Sequence, residues 1–325
     1  MKREKRPQGG VDDRTIRASG LIKVFGDNTA VDRLDLEVAS GELFGLVGPD
    51  GAGKTTIMRL FSGILAPTGG EAWVAGHSIL REPEAIKEKI GYMPQRFGLY
   101  EDLTVMENVL FYADLYGASK KERHDRIDRL LTFSNLAPFH DRLAGNLSGG
   151  MKQKLGLACA LIHTPRVLLL DEPTGGVDPV SRRDLWRILY DLLREGVTVF
   201  VSTAYLDEAE RCSRIGLIHK GKLLTTGGPR EVRRMLHVPM IEVLTPDGRQ
   251  ARAVADSVEG VRSVTAYGDR LHVGLEAADA ADAVVAAIVS HGVHVGGARP
   301  ILPSLEDAFI ALVSRPESSP ETEKR

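Results

Sequence analysis

The sequence predicts a mixed α/β fold with a mainly parallel sheet, followed by a small α+β unit. Three observations carry this. Short, mostly apolar runs at 43–47, 167–170 and 197–201 are separated by helix-periodic segments. Such runs bury both faces of a strand, as in a parallel sheet covered by helices. The first of them leads straight into a glycine-rich stretch and then a helix-like segment, 57–64. Beyond Gly227-Gly228-Pro229 and Pro239 the texture changes, and short strands and helices alternate in a new order.

Taken along the chain, residues 1–14 are charged and aperiodic and read as a mobile lead-in. Residues 21–25 and 34–38 alternate apolar and polar, as half-buried strands do. The segment 104–133 is long, charged and helix-periodic, so it reads as a helical insertion within a helical subdomain of about 96–160. After the break, strands are expected at 240–244, 261–267, 271–275 and 294–298, with helices near Ala251 and over 278–289. Gly268-Asp269-Arg270 turns the two middle strands. This strand–helix–strand–strand–helix–strand order describes a ferredoxin-like unit. A last helix, 304–313, follows Pro303, and 315–325 is a Ser, Pro and charge tail expected to be disordered. The expected domains are therefore 15–235 and 236–314.

A length of 325 residues fits one large domain plus a small one. A formal net charge of −2 gives no global pull toward nucleic acid. Only Cys159 and Cys212 are present, so no disulfide framework is implied and a reducing cytosol fits. No apolar stretch approaches the roughly 18 residues that span a bilayer. The basic start, Met1 to Arg6, has no apolar core behind it and is not expected to be a secretory signal. A role at a membrane therefore calls for another chain to supply the membrane part.

Gly48-Pro49-Asp50-Gly51-Ala52-Gly53-Lys54-Thr55-Thr56 contains G-x-x-x-x-G-K-[ST] between a strand and a helix. Gly51 and Gly53 let backbone N–H groups turn toward phosphate oxygens, and the helix start behind them adds partial positive charge. Lys54 is expected to reach the β- and γ-phosphates, and Thr55 to place its hydroxyl on Mg²⁺. The bland alternative is a glycine-rich turn that happens to hold a lysine. The run 167–170 ends in Asp171-Glu172. Ligands of open α/β sheets sit at the carboxyl ends of strands. Asp171 is thus expected at the Mg²⁺ shell, and Glu172 near the γ-phosphate, polarising the attacking water. The alternative here is an acid pair capping a helix.

Between these motifs lies Leu147-Ser148-Gly149-Gly150-Met151. It resembles the signature sequence of ATP-binding cassette ATPases, and the order phosphate loop, Gln95, signature, Asp-Glu resembles that family across about 17–235. The resemblance implies an ATPase that takes ATP with Mg²⁺. It implies that Ser148, Gly149 and Gly150 bind the ATP held by an opposite subunit, so that two cassettes close head-to-tail, as a homodimer or a heterodimer. Phe25 looks like the aromatic that stacks on adenine; otherwise it is a strand-edge core aromatic. Gln95 looks like the residue that touches Mg²⁺ and the attacking water. Asp178 looks like the acid that links one site to the other; without the family it reads as a turn residue or helix N-cap.

In the family the stretch after Gln95 faces a transmembrane partner. Here it offers Phe97, Leu99 and Tyr100 beside charges, a composition suited to docking. The alternative buries them under the helical insertion. The cassette is similar to those of bacterial drug and antibiotic exporters, whose ATPase subunits often end in a small domain closing with Leu-Glu-Asp-x-Phe. Ser304-Leu305-Glu306-Asp307-Ala308-Phe309 fits that pattern, or is simply a capped amphipathic helix. The resemblance thus implies separate membrane permease subunits as partners, no nucleic acid, and a peripheral place on the cytoplasmic face of the plasma membrane.

Two departures stand out. The family has a His in the stretch 201–210, and here Ala204 holds that place. A methyl neither donates nor accepts a hydrogen bond. Met151 replaces the usual Gln. The expectation is good ATP binding and slow hydrolysis, with rescue by His219 not expected, and pairing with an intact cassette as one outcome. The rival readings are a soluble cassette ATPase acting on ribosomes or DNA, disfavoured by one cassette without heptads, and a nucleotide-binding regulator that does not hydrolyse.

Overall fold

The computed structural model describes residues 14–96, 98–119, 123–235 and 238–314. Phe97, most of the expected lead-in and the expected tail lie outside the described residues. The chain divides into two compact units between Leu223 and Leu224.

In the first unit, β1 (Arg14–Phe25) and β2 (Asn28–Ala39) pair antiparallel. They are longer than the alternation suggests, because register shifts along the pair interrupt the period-2 pattern. Next come β3 (Leu43–Val47), α1 (Lys54–Phe61), β4 (Gly69–Val74), β5 (His77–Ser78), α2 (Pro83–Lys87) and β6 (Ile90–Met93). The helices α3 (Val105–Leu115), α4 (Arg123–Phe133) and α5 (Gly149–Leu161) follow. The unit continues through β7 (Val167–Asp171), α6 (Pro179–Arg194), β8 (Thr198–Thr203), α7 (Leu206–Ala209) and β9 (Arg214–His219). The division falls within β10 (Lys222–Gly227).

The strands β9, β3, β8, β7 and β6 lie in that order and pair parallel. Every residue of β3, β7 and β8 is buried, which is why these runs lack alternation. The register aligns Val47 with Thr203, Asp171 with Ser202 and Met93 with Leu170. All the carboxyl ends therefore reach one edge of the sheet. Below that edge Phe200 stacks on Phe44 at 5.4 Å and meets Phe61 of α1 edge-on at 5.5 Å. Burying such rings contributes roughly 1.5–3 kcal/mol each, and it fixes α1 on the sheet.

The helical insertion is several helices with a core of their own, built from Val105, Val109, Ile127, Leu131, Leu155 and Cys159. A capping box opens α3: Thr104 Oγ1 accepts from Glu107 N at 3.2 Å, and Thr104 N donates to Glu107 Oε2 at 2.8 Å. Buried Asn108 accepts from Tyr100 N at 2.9 Å and donates to Tyr100 O at 3.0 Å. These bonds pin the segment after Gln95 to the helical layer.

The second unit holds α8 (Pro229–Arg234), β11 (Met240–Leu244), α9 (Gly248–Ala255), β12 (Val261–Tyr267), β13 (Arg270–Leu275), α10 (Ala280–Ser290), β14 (Gly297–Ile301) and α11 (Leu305–Ser314). Its antiparallel sheet runs β12-β13-β11-β14. Ile241, Val243, Leu271, Val273, Val284 and Ile288 form its core. The last strand lies at 297–301 rather than the expected 294–298. Pairing explains the shift: β14 takes the register Leu244 with Gly297 to Met240 with Ile301, and Gly296 N donates to Leu244 O at 2.8 Å.

This unit also carries a polar cluster. Glu242 takes Arg299 Nη2 at 2.7 Å and Arg270 Nη1 at 3.3 Å. His272 Nδ1 lies 3.0 Å from Asp307 Oδ2, and Tyr267 OH donates to Asp307 Oδ1 at 3.3 Å. Asp307 also accepts from Ser304 N at 2.8 Å and Ser304 Oγ at 2.6 Å. The acid of the closing Leu-Glu-Asp-x-Phe stretch is thus a buried anchor for α11, while Glu306 is exposed.

Candidate nucleotide site

Gly48 leaves β3 with its N–H bonded to Thr203 O at 3.2 Å. A Cβ on Gly48 would lie 2.2 Å from Ile218 O, so only glycine fits there. Gly53 has φ +104°, and a Cβ there would lie 2.3 Å from Ala30 O. Gly53 is the N-cap of α1 and brings no capping side chain, so the first N–H groups of α1 keep their capacity for an anion. Lys54 turns back over the loop. Its Nζ donates to Gly48 O at 2.8 Å and Pro49 O at 3.0 Å, and it lies 3.0 Å from Glu172 Oε1.

Glu172 follows β7 with φ +50°, a left-handed backbone that costs a non-glycine residue roughly 1–2 kcal/mol. Its N–H is held by Ser202 O at 3.2 Å and Ser202 Oγ at 3.1 Å. Gln95 Nε2 donates to Glu172 Oε2 at 3.0 Å. Ser202 Oγ also donates to Asp171 Oδ1 at 2.7 Å. Asp171 Oδ2 is buried and, among the described residues, has no hydrogen-bond partner. A buried carboxylate oxygen left over in this way fits a hard divalent cation, as do the Thr55 hydroxyl and the Gln95 amide oxygen. Among the described residues there is no cluster of three His, Cys, Asp or Glu for a metal. Mg²⁺ needs no such cluster, since it is usually bound through one or two carboxylates together with phosphates and water.

Phe25, Asp50, Gly51, Ala52, Gly53, Lys54, Thr55, Thr56, Gln95 and Glu172 line one cleft of about 640 Å³. That size is usual for a small-molecule site. Phe25 is 49% exposed at its mouth, with Lys23 Nζ 4.9 Å from the ring centre, so it is not a core aromatic. Sequence reasoning missed Asn28, Thr29, Ala30 and Lys220 in the lining, and Ser202 behind it. Lys220 had a signal. Lys220-Gly221 is a two-residue turn with consecutive φ of +46° and +78°, the hairpin conformation that glycine favours. Gly221 N donates to Ala52 O at 3.0 Å, which draws that turn to the phosphate loop. Ser202 had none, being one polar residue in a buried strand.

Ser148, Gly149, Gly150 and Asp178 do not line this cleft. Ser148 N-caps α5, its Oγ accepting from Met151 N at 3.3 Å. Ser148 and Gly149 are exposed and Gly150 is buried. A Cβ on Gly150 would lie 2.3 Å from Ser181 Oγ, so α5 and α6 meet at a glycine contact. Asp178 N-caps α6, with Oδ1 accepting from Ser181 N at 2.9 Å and Val180 N at 3.0 Å. The Ser181 backbone and side-chain hydrogen bonds hold its carboxyl below the ordinary range. Met151 packs on the helical core, which accounts for an apolar residue there. Ala204 is exposed just past β8, and His219 ends β9 without lining the cleft.

A family model described as "ABC transporter" matches residues 31–175, from β2 past the Asp171-Glu172 pair. The daunorubicin/doxorubicin resistance ATP-binding protein DrrA of Streptomyces peucetius is 38% identical over 244 residues, 75% of this chain and 74% of that one. This chain belongs to the ATP-binding cassette (ABC) family. DrrA3 of Streptomyces coeruleorubidus is 34% identical over 304 residues, covering 92% of this cassette protein and 96% of its own length, so that similarity extends into the second unit. "Probable multidrug ABC transporter ATP-binding protein YbhF" of Escherichia coli K12 is 51% identical over 228 residues. This cassette spans only 39% of that relative's length. Among solved structures, an ATP-binding subunit of an ABC transporter aligns with a TM-score of 0.63 at 28% identity, over 69% of this chain and 93% of that one. A dimeric cassette in a post-hydrolysis state with ADP and Pi aligns with a TM-score of 0.60 at 26% identity, over 66% of this chain and 98% of its own.

Proposed function

We propose that this chain binds ATP with Mg²⁺ and hydrolyses it to power export of a small, amphipathic, drug- or antibiotic-like compound through a separate membrane permease. The observation that carries the reading is the convergence of Lys54, Gln95 and Glu172 on one cleft, with both Glu172 oxygens engaged. Lys54 and the N–H groups of the loop bind the β- and γ-phosphates. Phe25 offers its exposed face to the adenine. Gln95 and Glu172 orient and polarise a water for attack at the γ-phosphorus. Thr55, Asp171 and Gln95 would hold Mg²⁺, which would neutralise phosphate charge.

The separation of Ser148–Gly150 and Asp178 from the cleft supports pairing of two cassettes, each completing the other's site. The dimeric relative is in keeping with that arrangement. Tyr100, Phe111, Leu115 and Tyr116 form an exposed apolar stretch of the helical layer, with Tyr100 and Phe111 in contact at 4.6 Å. That surface suits docking of a permease on the cytoplasmic face of the plasma membrane. No helix among the described residues is long and apolar enough to cross a membrane itself. The export substrate class rests on the names of the multidrug and daunorubicin relatives. Ala204 favours slow turnover, because the site lacks one preorganised donor, an absence that typically costs ~10²–10³ in rate.

The test is Mg²⁺-dependent ATPase activity beside a Lys54→Ala blank, followed by membrane fractionation with and without a co-expressed permease. Activity above the blank and permease-dependent sedimentation support the reading. ATP binding without turnover would favour the regulator, and sedimentation with ribosomes would favour the soluble ATPase.

A further inference from the structure

A carboxylate that plays no part in the proposed chemistry lies behind the site. Glu208, in α7, is fully buried. Its Oε1 accepts from Thr174 Oγ1 at 2.5 Å and its Oε2 from Thr203 Oγ1 at 2.7 Å. Arg182 Nε faces Oε1 at 3.6 Å. Burying a carboxyl group is costly unless its oxygens meet donors or a charge partner; here the two threonine hydroxyls supply the donors and Arg182 the nearby charge.

Each partner belongs to a different working segment. Thr174 stands two residues after Glu172, in the turn closed by Gly175 N to Glu172 O at 3.1 Å. Thr203 ends β8 beside Ala204; its carbonyl accepts from Gly48 N at 3.2 Å, and its Oγ1 accepts from Tyr205 N at 3.0 Å. Arg182 lies one turn into α6, its N–H bonded to Asp178 O at 2.9 Å. Glu208 thus ties together the Glu172 turn, the root of the phosphate loop and the Asp178 helix.

We propose that Glu208 is a positioning residue that locks the Glu172 turn against the phosphate loop and the Asp178 helix. The proposal rests on the hydrolysis reading. Glu208 does not line the nucleotide cleft, so its effect falls on turnover rather than on ATP binding.

Thr174→Val removes one hydroxyl at nearly constant shape, and Thr174→Ser keeps it. The Val variant is expected to lose about tenfold in kcat, the size of one hydrogen bond to a charged group. KM for ATP stays within about twofold, and the Ser variant recovers most of the rate. Backbone hydrogen exchange over 172–178 is expected to rise about tenfold in Thr174→Val and to return in Thr174→Ser. Glu208→Gln should match Thr174→Val; if it fails to fold, the Thr174 pair decides. Unchanged kcat and exchange in Thr174→Val, equal losses in Val and Ser, or a loss confined to KM would overturn the proposal. Wild-type turnover no faster than Lys54→Ala would defeat the hydrolysis reading alone, and exchange would then still decide whether the lock exists.

Discussion

Gln95 Nε2 lies 3.0 Å from Glu172 Oε2, while Lys54 Nζ lies 3.0 Å from the other oxygen of the same carboxylate. Glu172 is therefore aimed from both sides, and Lys54 must change partner to reach a phosphate. Glu172→Gln keeps the shape, removes the anion and releases Lys54. Turnover is expected to fall at least ~10²-fold, the usual contribution of a positioned acid–base group. ATP affinity should stay the same or rise a few-fold. Steady-state hydrolysis and equilibrium ATP binding check the two halves separately.

Gly150 meets α6 so closely that a Cβ would fall 2.3 Å from Ser181 Oγ. Gly150→Ala forces α5 and α6 apart, at a cost of about 1–3 kcal/mol. The phosphate loop lies elsewhere, so ATP binding to the monomer should survive while ATP-dependent dimerisation is lost. Sedimentation with and without ATP, in a background of Glu172→Gln, reads this directly.

Ala204 sits exposed just past β8, where a larger side chain meets solvent. Ala204→His is expected to raise kcat at least ~10-fold by supplying a donor toward the γ-phosphate. An unchanged rate, with folding and ATP binding preserved, would contradict the missing-donor account.

In the second unit, Asp307 binds both Ser304 groups, His272 and Tyr267. Asp307→Ala removes a cap and leaves several half-buried donors without their acceptor, and should destabilise that unit by about 1–3 kcal/mol. Hydrogen exchange across residues 238–314 of the full chain localises the loss.

The same cluster predicts an acid response. Burial pushes the Glu242 carboxyl up, but hydrogen bonds and charge from Arg299 and Arg270 more than reverse this, leaving its folded value below the ordinary one. Its stabilising effect is therefore full above the usual glutamate value of about 4.3 and is lost as pH falls through the lower folded value. Glu242→Gln should flatten the acid side of the stability profile of that unit, with little slope change at neutral pH. Acid titration followed by hydrogen exchange tests it.

Much of this was legible in the sequence because buried parallel strands and glycine-bound loops leave short, dense signals. The run 43–47 and the loop after it fix strand, turn and helix at once. Gly48 and Gly53 could not be other residues, since backbone oxygens occupy the Cβ positions. What stayed hidden depends on pairing across the chain. Residue spacing cannot reveal that Ser202 holds both Asp171 and the Glu172 backbone, or that Glu208 collects two threonines and an arginine. The late start of β14 has the same origin, because its register is set by β11 rather than by local composition. The role of the Leu-Glu-Asp-x-Phe acid was ambiguous because capping and anchoring use the same residue.

The composite site is tested most directly by mixing two inactive variants, Lys54→Ala and Ser148→Arg. A head-to-tail pair of one of each holds one site with an intact phosphate loop facing an intact signature. The account predicts that each variant alone is inactive and that an equal mixture recovers up to about a quarter of the wild-type rate, from symmetric random pairing. No recovery on mixing, with both variants folded and exchanging subunits, would contradict it.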